Sequence, residues 1–302
     1  MSMVFCSDPL NPAVVDEPYA REFTAASQVG LASSLFNYEA LVNDGDVDRA
    51  IRRIPSPAIP GIAVYRGWML RPPLYARLQA ALLERGIRLV NEPAAYSYAH
   101  ELPNWYPDFT DVTPRTVIVP LGGPPDFAAI LMALRDFGNS PVVLKDYVKS
   151  QKHYWNEACF IPDASDGAAV ERVTARFLEL QGDGLAGGLV YRSFVELEPI
   201  GIHPKSGLTL TREYRVFCFD GKPLCVLPYW EDAEYRGETP PLDQLNKMAA
   251  RVKSRFFTMD VAKAREGHWI LVELGDGQVA GLPDQANVLE FYSALSDRLR
   301  RG

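Results

Sequence analysis

No lysine occurs in the first 144 residues of this 302-residue chain; Lys145 is the first. Fixed positive charge before that point comes from arginine alone, so a site that needs an ammonium group lies at Lys145 or later. Cysteine is scarce as well. The four are Cys6, Cys159, Cys218 and Cys225, none of them spaced as C-x-x-C and none with a histidine at zinc-finger distance. That excludes the common structural zinc modules, and Cys218 and Cys225, set in apolar runs, read as small buried residues. Basic excess is missing too: the formal charge is -7, which excludes a protein that coats nucleic acid but leaves room for a small basic site. No apolar run is long enough to span a membrane. The start, Met1 to Asp8, has no basic segment followed by an apolar stretch, so a signal peptide is not expected and a cytoplasmic location is. Internal repeats and low-complexity tracts are absent.

What is present is an ordinary globular composition, 47% apolar and 23% charged, enough for one large core or two joined domains. Glu17 to Leu35 has helix-like apolar spacing. Ile62 to Arg66 reads as a buried strand, Pro72 to Gly86 as a helix with proline at its start and glycine at its end, and Ile87 to Val90 as a returning strand. Strand, helix and strand in that order predict a parallel crossover. Pro103 to Pro114, rich in proline, aspartate and aromatics, reads as a linker. Further on, strands are predicted at 116–120, 141–145, 189–197, 213–219 and 224–230, with helices at 126–137, 170–180 and 242–257. Asp220-Gly221 and Asp276-Gly277 signal hairpins, the second joining strands at 268–274 and 278–282, before a last helix at 283–299. The fold class is α+β with an α/β N-terminal part.

Four features of the second half bear on chemistry. Lys145 ends a hydrophobic strand, where a buried ammonium is costly unless an anion pairs with it. Lys149 and Lys152 follow, with Ser150 and His153 among them; they suit a polyphosphate grip or, equally, a solvated loop. Tyr191 to Glu198 is an apolar strand that ends in Glu196 and Glu198. In Arg212 to Lys222, period two puts Glu213, Arg215, Phe217 and Phe219 on one face, so the two charges pair with each other or serve a site. Last come Asp260, Glu273 and Asp276. Neighbouring antiparallel strands would set Asp260 beside Glu273, and two adjacent carboxylates call for a cation or a shared proton. Asp276 is either a ligand or simply the residue that makes a turn.

Taken in order, these features resemble the ATP-grasp superfamily: a strand-end lysine, an adenine-type strand, Glu-x-Arg-Val before a Gly-Lys hairpin, then Asp260 and a Val-Glu strand. The branch is the one related to RimK-like ligases, among small bacterial and phage proteins, and the resemblance covers about Thr113 to Leu282. It implies an ATP-grasp fold with the nucleotide between two α+β subdomains. An N-terminal pre-ATP-grasp domain would occupy residues 1–112 and the nucleotide-binding module residues 113–302. It implies ATP and Mg2+ as cofactors. Lys145, with Lys149 nearby, would contact phosphate, and the backbone of Phe194 and Val195 would read adenine. Glu196 or Glu198 would hold the ribose. Glu213 and Arg215 would form the acidic-x-Arg strand, with Arg215 facing phosphate or an acyl-phosphate and, like Lys145, catalytic. Asp260 and Glu273, with Asp276, would bind the metal.

Three departures from the family pattern stand out. The usual earlier lysine has no counterpart, with His100 and Arg115 as candidate substitutes. The glycine-rich phosphate loop is missing, since 146–160 contains no glycine. The usual Glu-x-Asn reads Glu273-Leu-Gly275, with Asp276 one residue later as a candidate oxygen ligand. The activity implied is an ADP-forming carboxylate–amine ligase acting through an acyl-phosphate on small-molecule or peptide substrates. This fits the lack of a Ser–His–Asp or Cys–His set. A polar loop around His203, Lys205 and Thr209 would close over substrate or merely connect two strands. Two alternatives remain: an ATP-binding assembly chaperone, as in a related ATP-grasp family that serves a eukaryotic translation initiation factor and also lacks the glycine-rich loop, and a kinase-like phosphotransferase.

Overall fold

The computed structural model describes residues 2–301 except 205, 206 and 208. Near the start, the apolar run Met3-Val-Phe-Cys6 forms β1 (Ser2–Cys6), which has β2 (Ala32–Phe36) on one side and β3 (Gly61–Arg66) then β4 (Ile87–Leu89) on the other. All three pairings are parallel, and the helix Pro72–Glu84 makes the expected crossover between β3 and β4. The sequence reading had passed over β1, although Met3, Val4 and Phe5 are almost wholly buried. The helix expected over 17–35 is shorter. It runs Ala20–Gln28, Gly30 turns the chain at φ 77, Leu31 N returns to Ala26 O, and the next residues leave as β2. Nothing in the apolar spacing marked that break except the glycine.

A second, antiparallel sheet consists of β5 (Thr116–Pro120), β6 (Val142–Lys145), β7 (Phe160–Ile161) and β8 (Gly188–Ser193), in the order β5-β8-β6-β7. The helices Phe127–Leu134 and Gly167–Gln181 are each capped by an aspartate, Asp126 and Asp166, that accepts from two backbone amides. They bury Ile130, Leu134, Val173 and Phe177 against Leu144 and Tyr191 of the sheet. β8 ends four residues before the predicted limit, so Phe194 to Glu198 lie beyond the strand. The proline-rich stretch expected as a linker instead contains short helical turns, Leu102–Trp105 and Tyr106–Asp108. It buries Trp105 and Phe109 completely, because its aromatics find a core.

β9 (Pro199–Ile202) and β10 (Thr209–Thr211) pair with each other. The last sheet holds β11 (Glu213–Phe219), β12 (Lys222–Pro228), β13 (Phe256–Lys263) and β14 (Trp269–Asp276), in the order β12-β11-β13-β14. Asp220 and Gly221, at φ 47 and 71, make the predicted tight turn between β11 and β12. Three expectations change here. The helix Leu242–Ala249 stops well before Phe257, because Phe256 and Phe257 are fully buried as the start of β13. β13 and β14 are joined around Gly267, where Ala264 N donates to His268 O. The segment after Asp276 is a turn rather than a second strand, since the amides of Val279 and Ala280 both bond back to Asp276 O. The last helix, Val288–Arg301, starts five residues later than predicted.

The chain forms two compact units. One comprises residues 1–100, 200–261 and 273–302, and the other residues 101–199 and 262–272. Spatial compactness does not test where one functional module gives way to the next, so a boundary at residue 112 stays an expectation. In the first unit, aromatic residues from several sheets meet in one core that includes Phe5, Phe217, Phe219, Phe256, Phe291 and Tyr292. Among the described residues, no helix is long and apolar enough to cross a membrane.

Candidate active site

In the second unit, β6 carries Lys145 to the sheet edge opposite Val190, where it is buried to 6% exposure. The next residue, Asp146, is completely buried and organises the loop that follows. Its Oδ1 accepts from Val148 N and Lys149 N, and its Oδ2 accepts from Gln181 Nε2 (3.0 Å) and Ala186 N (3.1 Å). The sequence reading missed Asp146. Its only signal was an acidic residue directly after a strand-end lysine, in a loop with no glycine to shape it. The carboxylate does by hydrogen bonding what a glycine-rich turn does by backbone freedom. Lys149, exposed, has its amide fixed by that bond. Burial raises the thiol of Cys159 to about 11, an effect opposed by the nearby charges of Lys152 and Lys145. The loop therefore brings two ammonium groups toward one point.

Phe194 N donates to Pro141 O (3.0 Å), and its ring packs edge-on against Phe160 and Trp155, which stack on each other at 5.4 Å. Val195 is half-buried beside it. The segment then crosses to the β13–β14 connection. Glu198 N bonds to Lys263 O, and the Glu198 carboxylate pairs with Lys263 Nζ at 3.1 Å. Glu196 pairs with Arg265 at 2.7 Å, both side chains being exposed.

In the first unit, Arg215 on β11 makes a two-pronged pair with Asp260 on the adjacent β13: Nε to Oδ1 at 2.9 Å and Nη2 to Oδ2 at 2.8 Å. Burial works against the Arg215 charge, but the pull of Asp260, then of Tyr229 and Glu273, outweighs it and raises its pKa. Arg215 thus lies within the field of both predicted metal carboxylates, which belong to neighbouring strands β13 and β14. The expected pairing of Glu213 with Arg215 is replaced by other partners. Glu213, buried, accepts from Thr211 Oγ1 and from Trp230 Nε1 (3.2 Å). The alternation along β11 holds for Phe217 and Phe219, which share one core across a bulge at Phe217/Cys218.

Asp276 has no exposed surface. Its Oδ1 accepts from Gln278 N (2.9 Å) and Gln278 Nε2 (3.1 Å), and its Oδ2 accepts from Asn91 Nδ2 (2.5 Å). Burial pushes the carboxyl up to about 7 in spite of those donors. Of the two roles expected for it, these bonds are those of a turn former. Asn91, which the sequence reading did not single out, also donates to Phe256 O (2.6 Å) and accepts from the amides of Arg255 and Phe256. One buried amide therefore ties the start of β13 to the end of β14. Arg66, fully buried and paired with Glu22, adds bonds to Gly277 O and Ala280 O just beyond.

A cavity of about 420 Å3 opens beside Arg215. Its lining includes His203, Tyr229, Trp230, Glu231, Asp232 and Leu282. Tyr229 lies under the Arg215 guanidinium at 5.2 Å, and His203 Nε2 sits 3.1 Å from Asp232 Oδ2. Of the three loop residues singled out from sequence, His203 lines this cavity, Thr209 begins β10, and Lys205 lies outside the described residues. His100 stacks on Tyr96 at 5.0 Å and Arg115 pairs with Asp136, so neither is marked as a stand-in for the missing first lysine. Among the described residues, no three His, Cys, Asp or Glu side chains gather as a ready-made metal cluster. The carboxylate pair Asp260 and Glu273 still suits magnesium, which takes few protein oxygens and leaves its other positions to water and phosphate.

Comparison with solved structures agrees with this architecture. A RimK domain ATP-grasp protein from Sphaerobacter thermophilus superposes with a TM-score of 0.62 at 16% identity, covering 99% of this chain and 100% of that one. The D-cycloserine synthetase DcsG gives 0.57 at 16% identity, over 99% of this chain and 100% of that one. The ATP-grasp ligase PsnB, complexed with minimal precursor, Mg and ADP, gives 0.57 at 14% identity, over 99% and 98%. At such identities the likeness establishes the fold, which is ATP-grasp. The search of curated proteins returned no match. The family follows from the sequence: the model of an ATP-grasp domain family, the third of its clade, matches residues 135–295, more than half of the chain, and the protein belongs to that family.

Proposed function

We propose that the protein is an ATP-dependent, ADP-forming ligase that joins a carboxylate to an amine through an acyl-phosphate. The observation that carries this is the Arg215–Asp260 pair, within the field of Glu273 and bordering a cavity large enough for a small substrate. Solved ATP-grasp relatives support it, since those named as ligases and synthetases share the fold.

On this proposal Lys145 pairs with phosphate oxygens, and burial strengthens that attraction. Lys149 and the Lys152 ammonium add charge at the same loop. The segment Phe194–Val195 offers backbone groups to adenine. Glu198, half-buried against Lys263, holds a fixed position for the ribose better than the exposed Glu196 does. Asp260 and Glu273 would hold magnesium, which supplies positive charge to the phosphate oxygens. Asp260 fixes the Arg215 plane through Nε and Nη2, so that the guanidinium meets negative charge developing on the transferred phosphoryl group without reorganising. Glu213 anchors the start of that strand. The nucleotide-binding module on this proposal begins near residue 113, with residues 1–112 as the pre-ATP-grasp domain. The substrates are a small-molecule or peptide acid and an amine.

Two measurements test it. Calorimetry of Mg-ATP on Lys145→Ala and Glu273→Ala should show affinity lost or strongly reduced in both folded variants; unchanged affinity in both would overturn the site. Product analysis separates the reaction classes. ADP and phosphate released only when an acid and an amine are both supplied support the ligase. Tight ATP binding without turnover points instead to an assembly factor, and a stable phosphorylated product points to a kinase.

A further inference from the structure

The cavity beside Arg215 has a lining with a distinct chemistry. Glu231 and Asp232 bring two carboxylates, Tyr229 and Trp230 bring aromatic surface, and the Arg215 charge is already matched by Asp260. Negative charge beside aromatic faces favours a cation. His203 stands in the same wall, with its Nε2 3.1 Å from Asp232 Oδ2. A carboxylate on one imidazole nitrogen fixes the ring and its tautomer. The Nε2–H then points at Asp232, and the lone pair lies on Nδ1. The same partner stabilises the imidazolium that proton uptake creates.

We infer that this cavity is the acceptor site and that His203, oriented by Asp232, is the general base for the attacking amine. The inference rests on the ligase proposal. An amine reaches the cavity as an ammonium ion, drawn by Glu231 and Asp232, and cannot attack in that form. As the nitrogen lone pair forms its bond to the acyl carbon, the C–O bond to the phosphoryl group breaks and its electron pair leaves with phosphate. The proton released from nitrogen passes to His203. Arg215, lining the same space, faces the leaving phosphate. No oxidant or further reactant is needed.

Hydroxylamine provides the test, because it is largely unprotonated at neutral pH and attacks an acyl-phosphate without help from a base. Wild-type protein, His203→Gln and Asp232→Asn are assayed with ATP, magnesium and a panel of amino acids and short peptides as acids. The nucleophile is either hydroxylamine, read as hydroxamate, or glycinamide, read as amide by mass. The expected result is at least a tenfold loss of amide formation in His203→Gln, with hydroxamate formation kept within about threefold. Asp232→Asn should show the same selectivity with a smaller loss. Retained hydroxamate formation also shows that the variant is folded and binds ATP. Equal amide rates in wild type and His203→Gln overturn the role of His203, and so does an equal loss on both nucleophiles, which marks a structural role. If wild type itself makes neither product with any acid, the ligase proposal fails and the inference falls with it, a failure visible without any variant.

Discussion

Arg215 and Asp260 sit on adjacent strands with two hydrogen bonds of 2.9 and 2.8 Å between them, and 24% of the arginine side chain remains exposed. The pair is half buried structure and half open chemistry, and removing either partner affects both. Asp260→Ala leaves the guanidinium without its counter-charge. Its expected cost is about 2 kcal/mol of stability, discounted from the fully buried case for the exposed part. Urea denaturation measures it, and a loss below about 0.5 kcal/mol would show that the pair is not holding β11 to β13.

Glu273→Ala should behave differently. Glu273 is only half-buried, so the expected stability loss is under about 1 kcal/mol. Mg-ATP affinity should nevertheless fall at least tenfold, and the ATP affinity left should no longer respond to added magnesium. A Glu273→Ala protein that still gains affinity with magnesium would remove this residue from the metal site.

Lys145 and Lys149 should separate by burial. The buried Lys145 acts on phosphate in a less screened setting than the exposed Lys149. Lys145→Ala is expected to weaken ATP at least tenfold and Lys149→Ala by about threefold or less, with the smaller effect vanishing at high salt. Equal effects in a salt titration would argue against this difference.

Asn91 makes two donated and two accepted hydrogen bonds, all in a buried setting. Asn91→Ala leaves the Asp276 carboxylate short of a donor and should cost about 3 kcal/mol. Thermal unfolding would report it directly. An unchanged midpoint would mean that the β13 and β14 ends hold together without this bridge.

Asp276 predicts a pH dependence. Burial lifts its carboxyl from the ordinary value of 3.8 to about 7 in the folded protein. Between those values the folded state keeps a proton that the unfolded chain releases. Stability from this group therefore falls as pH rises from about 4 to about 7 and is constant beyond either limit, the total change being on the order of a few kcal/mol. Denaturation midpoints across that range would trace the slope, and Asp276→Ala should flatten it whatever it does to absolute stability. A wild-type profile that rises through this window, with no compensating group removed by the variant, would contradict the assignment.

Much of the second half was legible because its signals are local. Strand-end Lys145, the Asp220-Gly221 turn and the alternation in β11 each depend on a few neighbouring residues, and each is observed. The partners were not legible. Glu213 and Arg215 share a strand face and invited pairing, yet Arg215 turns to Asp260, 45 residues away. The strand β1 was missed for a related reason: a short apolar run at a chain start says little until the strands that flank it are known. Helix ends failed where apolar spacing continued past a break, at Gly30 and again at Phe256. Asp276 looked like a hairpin residue from sequence, and its bonds to Gln278 confirm a turn, but the burial that alters its acidity comes from contacts with distant Asn91.

The guanidinium of Arg66 offers a last consequence. It holds the carbonyls of Gly277 and Ala280, while Glu22, its ion-pair partner, also receives the hydroxyl of Tyr292 from the final helix. Residues from both ends of the polypeptide are therefore fastened to the turn that closes the strand carrying Glu273. A fragment trimmed to residues 113–302 would lose Glu22, Arg66 and Asn91 together and expose the clasp they form. Anyone seeking a minimal catalytic piece, or grafting a new front half to change the acceptor, would have to transplant that clasp as well. Proteolysis offers the same lesson in reverse: a nick near the start of the chain should be felt at the far end, as a loosened C-terminal helix.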